Sequence, residues 1–136
     1  MYRILIATTA ALLGIAASAN AAEGNVDAGK KLFVKCAVCH GIGEKKGVVG
    51  PNLNDVVGRK AGTQAEFLAK GAGGYSKAMI AAGEGGLVWN EAEIAQYIQD
   101  PKKMIAGNKM AFAGFKAEQD RLDVVAYIKT FSKAAP

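Results

Sequence analysis

The chain has 136 residues and a formal net charge of +5, from 17 lysines and arginines against 12 aspartates and glutamates, with one histidine and two cysteines. Two cysteines and one histidine fall one donor short of a four-ligand structural zinc site, and no βαβ pattern surrounds them as a thioredoxin-type redox centre would require. Seventeen glycines are many for a helical chain and point to loops that wrap something bulky, where a missing side chain permits close approach.

The first segment reads as an export signal. Met1-Tyr2-Arg3 is a short basic start, and Ile4 to Ala17 is apolar apart from Thr8, Thr9 and Gly14. Ala19-Asn20-Ala21 is a small-x-small cleavage site. The apolar run is short for a membrane span. Residues 1–21 are therefore expected to be a signal peptide, cut after Ala21 or one residue on, after Ala22, and residues 22–136 to be the domain. No second apolar run of membrane length follows. Export to the periplasm allows cysteines to be used for covalent chemistry without cytosolic competition.

The next expected element is a helix from a cap at Asn25 or Asp27 to about Val34, with Asp27 at its positive end. It leads into Cys36-Ala37-Val38-Cys39-His40, which holds both cysteines and the only histidine. C-x-x-C-H is the attachment signature of c-type haem. Each thiol can add across a haem vinyl group to form a thioether. The two-residue gap lets both sulfurs reach one edge of the ring while the histidine meets the iron. A Cys36–Cys39 disulfide would leave His40 unexplained.

Gly41 to Gly50 is a glycine-containing loop ending in Gly50-Pro51-Asn52-Leu53. Pro51 lacks an N–H but keeps its carbonyl, which can accept from the second nitrogen of His40 and fix its tautomer; an ordinary loop proline is the alternative. Arg59, in the turn Gly58 to Gly62, either neutralises a haem propionate or is simply solvated. Thr63 is expected to cap a short helix to Lys70, and Ser76 another ending near Gly83, with glycines breaking the chain after each. Trp89 needs an acceptor for its indole N–H if buried, which a propionate would supply, unless it is plain core filling. Asn90 caps a helix over Glu91 to Gln99, with Ile94, Tyr97 and Ile98 on one face. It stops at Asp100-Pro101. Lys102 to Phe115 carries little helical signal. The last helix runs from Ala117 to about Phe131, apolar along Val124, Tyr127, Ile128 and Phe131. No strand alternation of convincing length, repeat or dinucleotide fingerprint is visible.

His40 is one axial ligand candidate; no second histidine exists, and methionine, which raises the reduction potential of a haem iron, is the obvious candidate for the other. Met79 falls in an expected helix and is better read as core. Met104 and Met110 share one loop, and spacing does not choose between them.

Residues 23 to 133 resemble the class I cytochromes c, close to mitochondrial cytochrome c and its soluble bacterial relatives. Gly29 and Phe33 match the first-helix pair that packs on the last helix near Tyr127. Cys36, Cys39 and His40 match the attachment site, and Gly50-Pro51-Asn52-Leu53 the segment whose proline carbonyl orients the histidine. Arg59, Tyr75 and Trp89 match residues that hydrogen-bond a propionate, and Tyr97 a tyrosine beside the methionine ligand. Asp100-Pro101-Lys102-Lys103 and the stretch from Gly107 to Gly114 look like the methionine loop, with Met110 as ligand. Ala106 departs from a common proline, which loosens that loop, and Asn108 from a common threonine, which puts its hydroxyl contact to the propionate side in doubt. Gln64 to Gly74 and Gly83 to Gly86 look like insertions relative to the mitochondrial form.

The resemblance implies an all-α cytochrome c fold, short helices and loops around one haem c held by Cys36 and Cys39, with His40 and Met110 on the iron. It implies a soluble periplasmic electron carrier, not an enzyme, shuttling between membrane respiratory or photosynthetic redox complexes. A peroxidase would need an open distal site and acid–base residues, and no second histidine exists; a ligand-binding haem sensor would also need a vacant site. Lys35, Lys45, Lys46, Lys102, Lys103, Lys109 and Lys116 fall in segments expected near the haem edge, where a ring of charge would steer docking to acidic surfaces. The processed chain is expected to be a monomer with no membrane span and no nucleic-acid partner.

Overall fold

Asn25 starts the first helix: its side-chain oxygen accepts from the Ala28 N–H at 2.9 Å, satisfying a donor that the helix start leaves free. In the computed structural model, which describes residues 23–133, α1 spans Val26–Leu32 and α2 Val34–Ala37, with Phe33 as the joint. The expected single helix to Val34 is thus two short ones, the second carrying Cys36. The signal peptide expected over 1–21 lies outside the described residues.

The order continues with β1 (Arg59–Lys60), α3 (Ala65–Leu68), a 3-10 turn (Gly71–Gly73), α4 (Lys77–Glu84), β2 (Val88–Trp89), α5 (Glu91–Tyr97), α6 (Pro101–Met104) and α7 (Glu118–Lys129). The two strands pair antiparallel, Arg59 opposite Trp89 and Lys60 opposite Val88. Two residues are too few to leave an alternating pattern.

Ser76 caps α4 through Met79 N–H at 3.0 Å, and Asn90 caps α5 through Glu93 N–H at 2.8 Å. Two local expectations need correction. Thr63 does not cap α3; its hydroxyl donates to the Lys60 carbonyl at 2.6 Å, and Gln64 caps instead, accepting from Phe67 N–H at 2.7 Å. The stretch from Lys102 is not all loop, because Pro101–Met104 is helical. Asp100-Pro101 ends one helix and begins another: Asp100 accepts from Lys103 N–H at 3.1 Å, and proline fits the first helical position, whose N–H needs no partner.

The core lies where α1 crosses α7. A Cβ on Gly29 would stand 1.9 Å from the Asp123 carbonyl oxygen and 3.0 Å from Tyr127 Cβ, so only glycine lets the backbones meet. One turn on, Phe33 packs on Tyr127 with ring centroids 5.2 Å apart, and Tyr127 on Phe131 at 5.2 Å. Val124, Val125, Ile128, Ile94, Ile98, Ile105 and Phe115 complete the buried cluster. Asp123 is buried one turn before Tyr127, on the side of α7 that meets α1; its Oδ1 accepts from Asn25 N–H at 2.7 Å and from Gln119 Nε2 at 2.8 Å, tying the start of α1 to α7. Residues 131–133, after α7, are pinned to residues 55–57: Asp55 N–H donates to Phe131 O, Lys133 N–H to Asp55 Oδ1, and Val57 N–H to Ser132 Oγ. Among the described residues no helix is long and apolar enough to cross a membrane.

Candidate functional site

α2 carries Cys36 in its last turn, and the following turn presents Cys39 and His40, whose N–H groups both donate to the Cys36 carbonyl, at 3.0 and 2.9 Å. Both cysteines are half-buried, and no disulfide joins them. Burial pushes the Cys36 thiol up to about 11, opposed by the charge of Lys35 and reinforced by Cys39.

The imidazole of His40 is fixed from two sides. Its Nδ1–H donates to the Pro51 carbonyl at 2.8 Å, since a carbonyl can only accept. The proton is thereby held on Nδ1, and Nε2 keeps a free lone pair. Gly50 lies flat against the ring, where a Cβ would come within 2.6 Å of Cε1. Burial lowers the His40 pKa, the Pro51 hydrogen bond opposes this, and Arg59 adds to the lowering. The net direction favours the neutral, metal-binding imidazole. Gly50 and Val49 N–H groups both donate to the Cys39 carbonyl, so the loop after His40 folds back on the motif that precedes it.

A second group lies around Arg59. The guanidinium donates to the Asn54 carbonyl from one terminal nitrogen at 3.2 Å and to the Asn52 carbonyl from the other at 3.0 Å. It is half-buried and has no carboxylate partner; among the described residues the only ion pair is Lys129–Glu91, on the surface. Burial lowers its pKa, while Tyr75 and Asp55 raise it. Trp89 sits opposite Arg59 in the strand pair, is buried, and packs on Tyr97 with ring centroids 5.0 Å apart. Tyr97 is pushed up to about 12 by burial and stays a phenol. The Tyr75 hydroxyl accepts from Gln64 N–H at 3.3 Å, and burial raises its pKa against the pull of Arg59.

The methionines separate by place. Met79 is buried in α4. Met104 closes α6, and Met110 lies beyond it in extended loop; both are half-buried against the core. Asn108 shapes the approach to Met110: its Nδ2 donates to the Pro101 and Ile105 carbonyls, each at 2.8 Å, and its Oδ1 accepts from Met110 N–H at 2.8 Å. This is an Asx turn, legible in principle from an Asn two residues ahead of the position it serves, but it needs α6 as its other anchor. Past Met110, Phe112 packs edge-on to Phe115 at 5.1 Å, and the Lys35 ammonium lies 5.2 Å over the Phe115 ring. The loop therefore returns within reach of the Lys35 side chain of α2.

All seven lysines expected at an edge are exposed, but three are engaged locally: Lys35 on Phe115, Lys109 with the Ala72 and Gly74 carbonyls, and Lys116 with the Gln99 carbonyl. Sequence reasoning missed these ties because each joins residues far apart in the chain.

The family model described as Cytochrome c matches residues 26–132. The chain is 47% identical over 109 residues to cytochrome c2 of Rhodoblastus acidophilus, covering 79% of this chain and 94% of the relative. It is 42% identical over 131 residues to cytochrome c2 of Rhodomicrobium vannielii, covering 96% and 97%. Among solved structures, cytochrome c2 from Rhodospirillum centenum matches with a TM-score of 0.71 at 38% identity, covering 81% of this chain and 100% of that one.

Proposed function

The chain belongs to the cytochrome c family, and from that membership we infer that it is a periplasmic single-haem carrier with His40 and Met110 as axial ligands, passing electrons between membrane redox complexes. The coarser part follows from the family: a c-type electron-transfer cytochrome of the cytochrome c fold, and not an enzyme. The observation that carries the finer reading is the Nδ1–H bond of His40 to Pro51, which leaves the Nε2 lone pair free to bind iron.

The residues present fit haem. Cys36 and Cys39 would anchor it by thioethers. The His40 imidazole, neutral and held against Gly50, would bind the iron without having to turn. Arg59, half-buried with no anionic partner, would meet a propionate, with Tyr75 and Trp89 as neutral donors. Met110 would fill the sixth position and Tyr97 pack beside it. Haem, when bound, supplies a reversible one-electron couple, and the protein tunes it through ligand identity, burial and hydrogen bonding. With His40 and Met110 both holding the iron, no position would be left on it for a substrate.

Purified protein treated with acidified acetone should keep its haem, and its mass should exceed that of the processed chain by one haem. Loss of the colour to the solvent, or the mass of the bare chain, would sink covalent attachment.

The lysines set the second expectation. Lys45, Lys46, Lys102 and Lys103 are exposed, and such charges are screened beyond about 8 Å at physiological ionic strength. Electron-transfer rates with an acidic membrane partner should fall roughly tenfold or more from low to high salt. Rates that stay flat across the series would show that these lysines do not steer docking.

A further inference from the structure

We propose that residues 64–74 form a brace between the two loops that flank the haem site, with Lys70 tying it to the loop after His40 and Lys109 tying it to the loop of Met110. The inference rests on the axial-ligand reading above for its effect on the iron, but not for the existence of the brace. The Lys109 ammonium donates to the Ala72 carbonyl at 2.7 Å and the Gly74 carbonyl at 3.2 Å. The Lys70 ammonium donates to the Val48 carbonyl at 3.3 Å. Val48 precedes Val49 and Gly50, whose N–H groups grip the Cys39 carbonyl. Lys109 immediately precedes Met110. One short segment therefore touches both loops.

A brace needs internal contacts of its own, and this one has them, despite its glycines. Phe67 is buried and stands edge-on to Tyr75 at 4.9 Å, while the Lys70 ammonium covers the Phe67 ring at 5.1 Å. Gln64 caps the short helix with its side chain, and its N–H donates to the Tyr75 hydroxyl. Gly74 closes the segment: a Cβ there would stand 2.2 Å from the Phe67 carbonyl oxygen. The carbonyls of Ala72 and Gly74 are thus pre-positioned, and the ammonium that bridges them makes charge-assisted bonds, the stronger kind. Lys109 is a positioning residue, acting on Met110 through the loop backbone.

The test uses the haem-loaded protein and four variants: K109M, K109R, K70M, and K77M as a control for loss of charge at an exposed site. K109M should speed amide hydrogen exchange at both 71–74 and 107–112, roughly five- to tenfold. It should also move loss of the sulfur–iron absorption band to a denaturant concentration well below that which unfolds the helices. K109R, which still donates to carbonyls, should restore both. K70M should speed exchange at 47–50, and K77M should change nothing. Unchanged exchange at 71–74 and 107–112 in K109M would overturn the brace, whatever the iron ligand. If exchange rises as expected but no band depends on Met110, the brace stands and the ligand assignment fails instead.

Discussion

Replacing Met110 by alanine is expected to abolish the sulfur–iron absorption band, lower the reduction potential and open the iron to carbon monoxide. Methionine raises the potential of a His-ligated haem, so its loss lowers it, and a truncated side chain cannot hold the position closed. Met104→Ala is the matched control. Met104 is a half-buried thioether six residues away in sequence, but it ends a helix capped by Asp100. Its truncation should cost roughly 1–3 kcal/mol of packing, less than a fully buried methionine, and leave band, potential and carbon monoxide binding nearly unchanged. The reverse outcome would transfer the ligand to Met104. Retention of the band in both variants would point to Met79 or an external ligand and weaken the electron-carrier reading.

The second large effect is expected from Gly29→Ala. The added Cβ would meet the Asp123 carbonyl oxygen at 1.9 Å and its carbon at 2.5 Å. These are backbone atoms of α7, so no rotamer change relieves the clash and the helices must separate. Separation loosens the Phe33–Tyr127 contact and the hydrogen bond from Asn25 N–H to Asp123. A clash with backbone puts the overpacking cost at the upper end of its usual range, about 3 kcal/mol, against about 1 kcal/mol gained in helix propensity. The net loss of about 2 kcal/mol should lower the melting temperature by roughly 10 °C. Gly73→Ala, where the nearest atom to a new Cβ is 3.9 Å away, should change stability by no more than about 0.5 kcal/mol. Equal melting of Gly29→Ala and the parent would show that the close crossing is dispensable.

Local signals were readable because they act over a few residues. Asn25, Ser76 and Asn90 cap the helices expected of them, since a cap needs only its own first turn. Thr63 failed as a cap because Lys60 and Gln64 both compete nearby, and propensity does not rank neighbours one residue apart. The start of α6 is not legible locally, because aspartate before proline serves equally as the stop of one helix and the start of the next.

The C-x-x-C-H motif by itself singled out the residues proposed to hold a haem, because both sulfurs and the imidazole lie within five consecutive residues, the spacing that attachment to one haem edge requires. The tertiary structure decided everything that depends on distant partners: that Pro51 is the acceptor for His40, that Arg59 spans the Asn52 and Asn54 carbonyls, that Asp123 is buried, and that Lys109 reaches back to Ala72 and Gly74. Lys109 and Lys102 are alike as residues; one is tied to backbone carbonyls some 37 positions away and the other is read only as exposed charge. No local pattern encodes that difference, because it arises when the packed core sets which carbonyls lie within reach of an ammonium group.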